Sequence, residues 1–110
     1  MPTRTVAAPA SYLASGTWPT GKLVNDAPPG AVVAQHVARR LKAELEGQKI
    51  TNRDLGRRAN IAHTTIGRAL SGETYLDVPA LAAIEQALGL QLWPDREKVD
   101  EVGTNLPPKR

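Results

Sequence analysis

The chain has 110 residues, a formal net charge of +3 and no cysteine. This size corresponds to one small domain with tails, and the lack of cysteine excludes disulfides, thiolate catalysis and cysteine-ligated metal sites. No apolar run approaches the roughly 18 to 20 residues of a membrane span, and the N-terminus shows no secretory signal pattern. We therefore expect a cytoplasmic protein.

Basic and acidic residues occupy different parts of the chain. Residues 39–68 hold eight basic and three acidic side chains, whereas residues 69–101 hold two basic and seven acidic ones. A basic segment beside an acidic one indicates a surface that binds a polyanion. A solvated helical surface is the alternative explanation of the same charges.

The first 29 residues hold five of the nine prolines and follow no steady period of 2 or 3.6 residues, which predicts an irregular N-terminal arm. Tyr12, Trp18 and Leu23 are too apolar for a simple spacer. We therefore expect part of the arm to dock on the domain or on a second subunit. Because the helical pattern begins only after Gly30, we also expect the arm to add little to the stability of the core.

Apolar residues recur at every fourth position from Val33 to Leu45, which predicts a first helix over about 30–46. Asp26 is expected to cap the start of this helix, and Gly47 is expected to end it.

A second helix is predicted over about 52–59, because Thr51 and Asp54 form a capping-box pattern at its start. Asn60 tolerates the positive φ that a tight turn between helices requires. A third helix is predicted over about 63–71.

A fourth helix is predicted over about 78–88, between Asp77 and Gly89. Trp93 is expected to pack in the core against it, and residues 95–102 are expected to form a short acidic helix. No segment alternates at period 2 for long enough to predict a sheet. The fold class is therefore all-α, a compact bundle of four to five short helices. The expected segments are an arm at 1–29, a helical domain at 30–93 and an acidic helix with a tail at 94–110.

The segment from Leu55 to Gly72, LGRRANIAHTTIGRALSG, combines a glycine one turn into a helix, a turn residue and apolar residues spaced to pack two helices together. It resembles the helix-turn-helix of Cro/C1-type phage repressors (XRE family), and the resemblance extends over about Val33 to Trp93. It implies a lambda-repressor-like fold in which the helix beginning near His63 enters the major groove while the second helix crosses the DNA backbone.

Candidate DNA contacts lie on the outer face of the third helix and at the start of the second. Arg68 can pair with guanine O6 and N7, and the face that it shares holds no acidic residue. The start of the second helix offers free backbone N–H groups to a phosphate. The candidate base contacts are His63, Thr64, Gly67 and Arg68. The candidate backbone contacts are Thr51, Asn52, Arg53, Arg57, Thr65 and Ser71.

These features predict a sequence-specific double-stranded DNA-binding transcriptional regulator, specifically a repressor that occludes a promoter or operator and is nucleoid-associated when bound. We expect a homodimer or a cooperative pair on DNA, because one short helix reads only a few base pairs. No catalytic motif or clustered metal ligands occur, so we expect no enzyme activity, no metal, no cofactor and no membrane partner. The alternative is a protein-binding module, such as an antitoxin-like partner or a helical adaptor, that acts through the N-terminal arm or the acidic C-terminal segment.

Overall fold

Four α-helices form most of the protein in a computed structural model that describes residues 7–95. They are α1 (Pro29–Gln48), α2 (Asn52–Ala59), α3 (His63–Leu70) and α4 (Val78–Leu88). A 3₁₀ turn (Pro9–Tyr12) and two short antiparallel strands, β1 (Leu13–Ser15) and β2 (Lys22–Leu23), precede them. The predicted helical bundle is confirmed, with one small sheet added. No helix in this part of the chain is long and apolar enough to cross a membrane.

The first helix is longer than predicted at its C-terminal end, and both of its predicted end signals are wrong. Its N-cap is Pro28, without a side-chain hydrogen bond from Asp26. Gly47 lies inside the helix, and Lys49 takes the left-handed conformation that ends it, with φ 57° and ψ 44°. The Ile50 N–H then donates to the Leu45 carbonyl (2.9 Å), as in a Schellman motif. Gly47 does not stop the helix, because an internal glycine costs a helix only about 1 kcal/mol. The helix ends instead at Lys49, and Ile50, the next residue, packs against the core.

The second and third helices lie close to where the sequence predicts them. The Thr51 hydroxyl caps α2 by accepting from the Asp54 N–H (3.0 Å), and Asn60 ends it with φ 59°. A Cβ atom on Gly56 would lie 2.6 Å from the Ile61 carbonyl oxygen, closer than real Cβ contacts allow. Glycine at this position lets the turn fold back against α2. It thereby sets how α2 and α3 cross.

The fourth helix is also confirmed, but the segment after it differs from the prediction. Asp77 caps α4 by accepting from the Ala80 N–H (2.8 Å), and Gly89 ends it with φ 68°. Trp93, predicted to be a core residue, is 50% exposed, whereas Leu92 is fully buried. The Glu85 carboxylate accepts from the backbone N–H groups of Leu92 (2.7 Å) and Trp93 (3.0 Å). These two bonds hold the segment so that Leu92 enters the core in place of the tryptophan.

The hydrophobic core draws on every helix and on this last segment. Its buried members are Val37, Leu41, Leu45, Leu55, Ala59, Ile66, Leu81, Ile84 and Leu92. The predicted acidic helix at 95–102 falls outside the described residues, apart from Asp95.

Residues 9–23, called the N-terminal hairpin from here on, are not the irregular arm that the sequence predicts. Three hydrogen bonds tie the hairpin to the helices: Ala10 N–H to the Gly72 carbonyl (2.9 Å), Gln35 Nε2 to the Gly21 carbonyl (2.7 Å) and Arg39 Nη2 to the Pro19 carbonyl (3.4 Å). Just before the hairpin, the Tyr75 hydroxyl donates to the Ala7 carbonyl (2.8 Å). The arm therefore docks on its own domain. Strands of three and two residues are too short to show a period in sequence.

Gly72, just beyond α3, is the point where the hairpin meets the helix-turn-helix. It has φ +81°, and a Cβ atom there would lie 2.7 Å from Ala10 Cβ and 2.8 Å from the Trp18 ring. Both the backbone conformation and the available space therefore require glycine. The Trp18 Nε1 atom is buried without a hydrogen-bond partner among the described residues.

Candidate nucleic-acid interface

The eight residues of α3, HTTIGRAL, present one apolar and one polar face. Ile66 and Ala69 are buried, whereas His63, Thr64 and Arg68 are exposed. No acidic residue lies on this helix, so its outer face offers donors and a cation without a competing carboxylate. Three of the four predicted base contacts therefore share one exposed surface.

Gly67, the fourth predicted base contact, lies where α2 and α3 approach each other. It is half-buried, and a Cβ atom at this position would lie 3.6 Å from the Asn52 amide nitrogen. The start of α2 thus stands directly beside the middle of α3. A surface that contacts Gly67 would therefore also meet Asn52.

The start of α2 carries one carboxylate that sequence reasoning placed only in the helix cap. Hydrogen bonds from the Thr51 side chain and then from Arg57 lower the pKa of Asp54, so this group is ionised at neutral pH. Its charge is offset by an ion pair with Arg57, whose side chain remains 75% exposed. Arg57 therefore balances an acid and is still within reach of a phosphate.

Two clefts flank the exposed face of α3, and they group most of the predicted backbone contacts. A cleft of about 500 Å³ is lined by Arg53, Arg57 and His63 together with the turn between α2 and α3. We call a second cleft, of about 770 Å³, the lysine cleft. Its lining includes Thr51, Asn52, Gly67 and Ser71, together with Trp18, Lys42, Glu46 and Lys49.

Two predicted backbone contacts have less favourable surroundings than the others. Thr65 is half-buried rather than exposed. The Ser71 hydroxyl lies 2.9 Å from the Glu73 carboxylate and 3.1 Å from the Arg68 carbonyl. A phosphate at Ser71 would therefore meet a neighbouring carboxylate. Both contacts remain predictions.

Sequence reasoning did not assign three side chains that line the lysine cleft: Trp18, Lys42 and Lys49. The two lysines are seven residues apart on α1 or at its end, so they lie on nearly the same side of the helix, and this spacing could have identified them. Trp18 could not have been found this way, because only the docking of the hairpin brings it to the cleft. Within residues 7–95, no three His, Asp or Glu side chains cluster closely enough to hold a metal ion.

Comparison with known proteins agrees with this geometry. Residues 41–92 match the helix-turn-helix family model, which covers the end of α1 and all of α2, α3 and α4. Searches of curated proteins and of solved structures gave no significant match. Residues 41–92 therefore form a helix-turn-helix domain of the Cro/C1 type (XRE family), a DNA-binding regulatory domain of the kind found in transcription regulators.

Proposed function

We propose that this protein is a sequence-specific repressor that binds double-stranded DNA through α3 and occludes a promoter or operator. One observation carries the proposal: α3 exposes His63, Thr64 and Arg68 on an acid-free face, and a cleft with three cationic or titratable side chains adjoins its start. To occlude a promoter or operator, a repressor needs only to bind its DNA site tightly. We propose residues 30–93 as the DNA-binding domain, with 94–110 as a C-terminal extension, in a cytoplasmic protein associated with the nucleoid.

In this proposal the base contacts come from α3. Arg68 donates two hydrogen bonds to guanine O6 and N7, His63 donates to a purine N7, and Thr64 meets a thymine methyl group or a base edge. Gly67 lets the bases approach the helix backbone. The polar face of α3 thus reads the edges of a few adjacent base pairs.

The contacts to phosphates come mainly from α2. Thr51, Asn52 and Arg53 surround the helix N-terminus, where free N–H groups favour an anion. Arg57 adds attraction that does not depend on sequence, and Thr65 and Ser71 are the proposed contacts along α3. These contacts would orient the protein on the duplex while α3 supplies the specificity.

The test begins with selection of bound sequences from random duplex DNA and continues with two variants. We expect Arg68→Ala to lose roughly 1–3 kcal/mol of binding free energy for the selected duplex and to relax the preference at one base position. We expect Arg57→Ala to weaken all duplexes alike, because it removes a cation and leaves Asp54 unbalanced. Fluorescence anisotropy with the selected and scrambled duplexes measures both effects.

Wild-type affinity for the selected site in both variants would show that α3 is not the reading helix. A chain that selects no duplex, and that binds a protein partner with little dependence on salt, would instead support the adaptor or antitoxin-like function.

A further inference from the structure

The lysine cleft lies between two parts of the protein that are far apart in sequence. One wall is the C-terminal end of α1 with Lys42, Glu46 and Lys49, and Trp18 of the N-terminal hairpin also lines the cleft. The hairpin lies outside the segment 41–92 that matches the family model. The docked hairpin therefore adds Trp18 to a cleft whose other lining residues come from α1 to α3 and the segments that join and follow them.

The charged side chains of the cleft are free to meet a ligand. Lys42 and Lys49 are exposed, and neither forms an ion pair with another residue in the part of the chain that the structure describes. Glu46 lies between them in sequence and is also exposed. The formal charges of Lys42, Lys49 and Glu46 sum to +1. This net charge suits an anion with a single negative charge, such as one phosphodiester group.

The cleft is continuous with the proposed reading surface. Asn52 and Gly67 line the cleft, and the same two residues meet where α2 approaches α3. A duplex seated on α3 would therefore bring part of its sugar–phosphate backbone to the mouth of the cleft.

We propose that the lysine cleft binds a stretch of DNA backbone beside the bases that α3 reads, with Lys42 and Lys49 as phosphate contacts and Trp18 as the facing wall. This inference rests on the proposed function. It enlarges the DNA-binding surface from the helix-turn-helix to the end of α1 and to the hairpin, and it gives Glu46 an opposing effect on affinity.

The test uses charge-removing variants of α1 in the full chain and measures affinity for the selected duplex across a range of salt concentrations. We expect Lys42→Gln and Lys49→Gln each to make the negative slope of log affinity against log salt shallower by about 0.9. We expect Glu46→Gln to raise affinity, because it removes a repulsive charge. The matched control is Arg40→Gln, since Arg40 is exposed and lies about 200° around α1 from Lys42.

The outcomes separate this inference from the proposed function. If Arg68→Ala abolishes selective binding while the lysine variants and Glu46→Gln behave like Arg40→Gln, the cleft proposal is wrong and the reading helix stands. If the wild type binds no duplex selectively, the proposed function itself fails.

The role of the hairpin wall has a separate readout. The chain has two tryptophans, so Trp93→Phe leaves Trp18 as its only indole. We expect saturating selected duplex to change the emission of Trp18, and we expect Lys42→Gln/Lys49→Gln to diminish that change at equal duplex concentration. Unchanged emission at saturation would overturn the assignment of Trp18 as a wall of the DNA site.

Discussion

Gly67 occupies a helical position at which the fold does not require glycine. It sits in the middle of α3, where glycine costs a helix about 0.5–1 kcal/mol relative to alanine. The structure does not require glycine there, because a Cβ atom would make only an ordinary contact of 3.6 Å with Asn52. In contrast, Gly56 and Gly72 have no room for any side chain.

We therefore expect Gly67→Ala to stabilise the folded protein by about 0.5–1 kcal/mol and to weaken binding to the selected duplex by about tenfold, or ~1.4 kcal/mol. Urea unfolding and fluorescence anisotropy measure the two quantities. Gly47→Ala is the matched control, because Gly47 lies inside α1 with nothing within 4 Å of a Cβ atom. Equal DNA affinity in the two variants would argue against a base contact at Gly67.

Residue-scale signals predicted the caps of α2 and α4 correctly, but they failed for both ends of α1 and for the burial of Trp93. Thr51, Asn60 and Asp77 were identified correctly because a cap or a left-handed turn depends on a few neighbouring residues. Trp93 was misplaced because its exposure depends on Glu85, whose carboxylate holds the backbone of the following segment. Apolar character alone could not show which of Leu92 and Trp93 enters the core.

At the scale of elements, the sequence predicted an element correctly where the contacts that fix it are close in sequence, and it failed where those contacts are remote. The bounds of α2 and α4 were predicted closely, since both helices have local caps. The N-terminal hairpin was missed because its anchors are remote: Ala10 bonds to Gly72, and Gln35 bonds to Gly21. The same distance explains why Trp18 was not linked to Thr51, Asn52, Gly67 and Ser71, the predicted contacts that line the lysine cleft with it.

The contacts of the docked hairpin lead us to expect that it stabilises the fold, unlike the sequence pattern, which predicted that the arm adds little to stability. Pro9 is fully buried, and the Trp18 ring packs against Gly72. Each hydrogen bond to the helices contributes about 0.5–1.5 kcal/mol. We expect a chain that begins at Asn25, and so keeps the Pro28 cap of α1, to remain helical but to lose about 2–4 kcal/mol of unfolding free energy.

Thermal unfolding followed by circular dichroism measures this loss, and ~1 kcal/mol corresponds to about 4–8 °C for a domain of this size. A pair of point variants refines the result: Trp18→Ala should lower the melting temperature more than Trp93→Ala, because Trp93 is 50% exposed. An unchanged melting temperature in the truncated chain would mean that the hairpin is a passive attachment.

At the scale of the whole molecule, one copy offers one proposed reading helix, the eight-residue α3. Such a helix contacts only a few base pairs, which gives poor selectivity among many competing sites. We propose that two copies bind a pseudo-palindrome, with half-sites about one helical turn, or roughly 34 Å, apart on the same face of the duplex.

We expect sedimentation velocity to show two chains on a duplex with both half-sites, and affinity to fall when the spacing between half-sites is changed by about five base pairs, half of the roughly 10 base pairs in a turn. Duplexes that carry one intact and one scrambled half-site provide the control. One chain that binds a lone half-site with full affinity would rule out the paired arrangement.

The position of α1 decides where this domain can be cut when it is grafted onto another protein. The recognised family segment begins at residue 41, yet α1 runs unbroken from Pro29 to Gln48. Its first half holds Gln35 and Arg39, which anchor the hairpin. A graft cut at the family boundary would therefore sever a helix and leave the hairpin side of the core open to water. A chimaera should therefore be joined ahead of the hairpin, before Ala7, whose carbonyl accepts from the Tyr75 hydroxyl, rather than within α1.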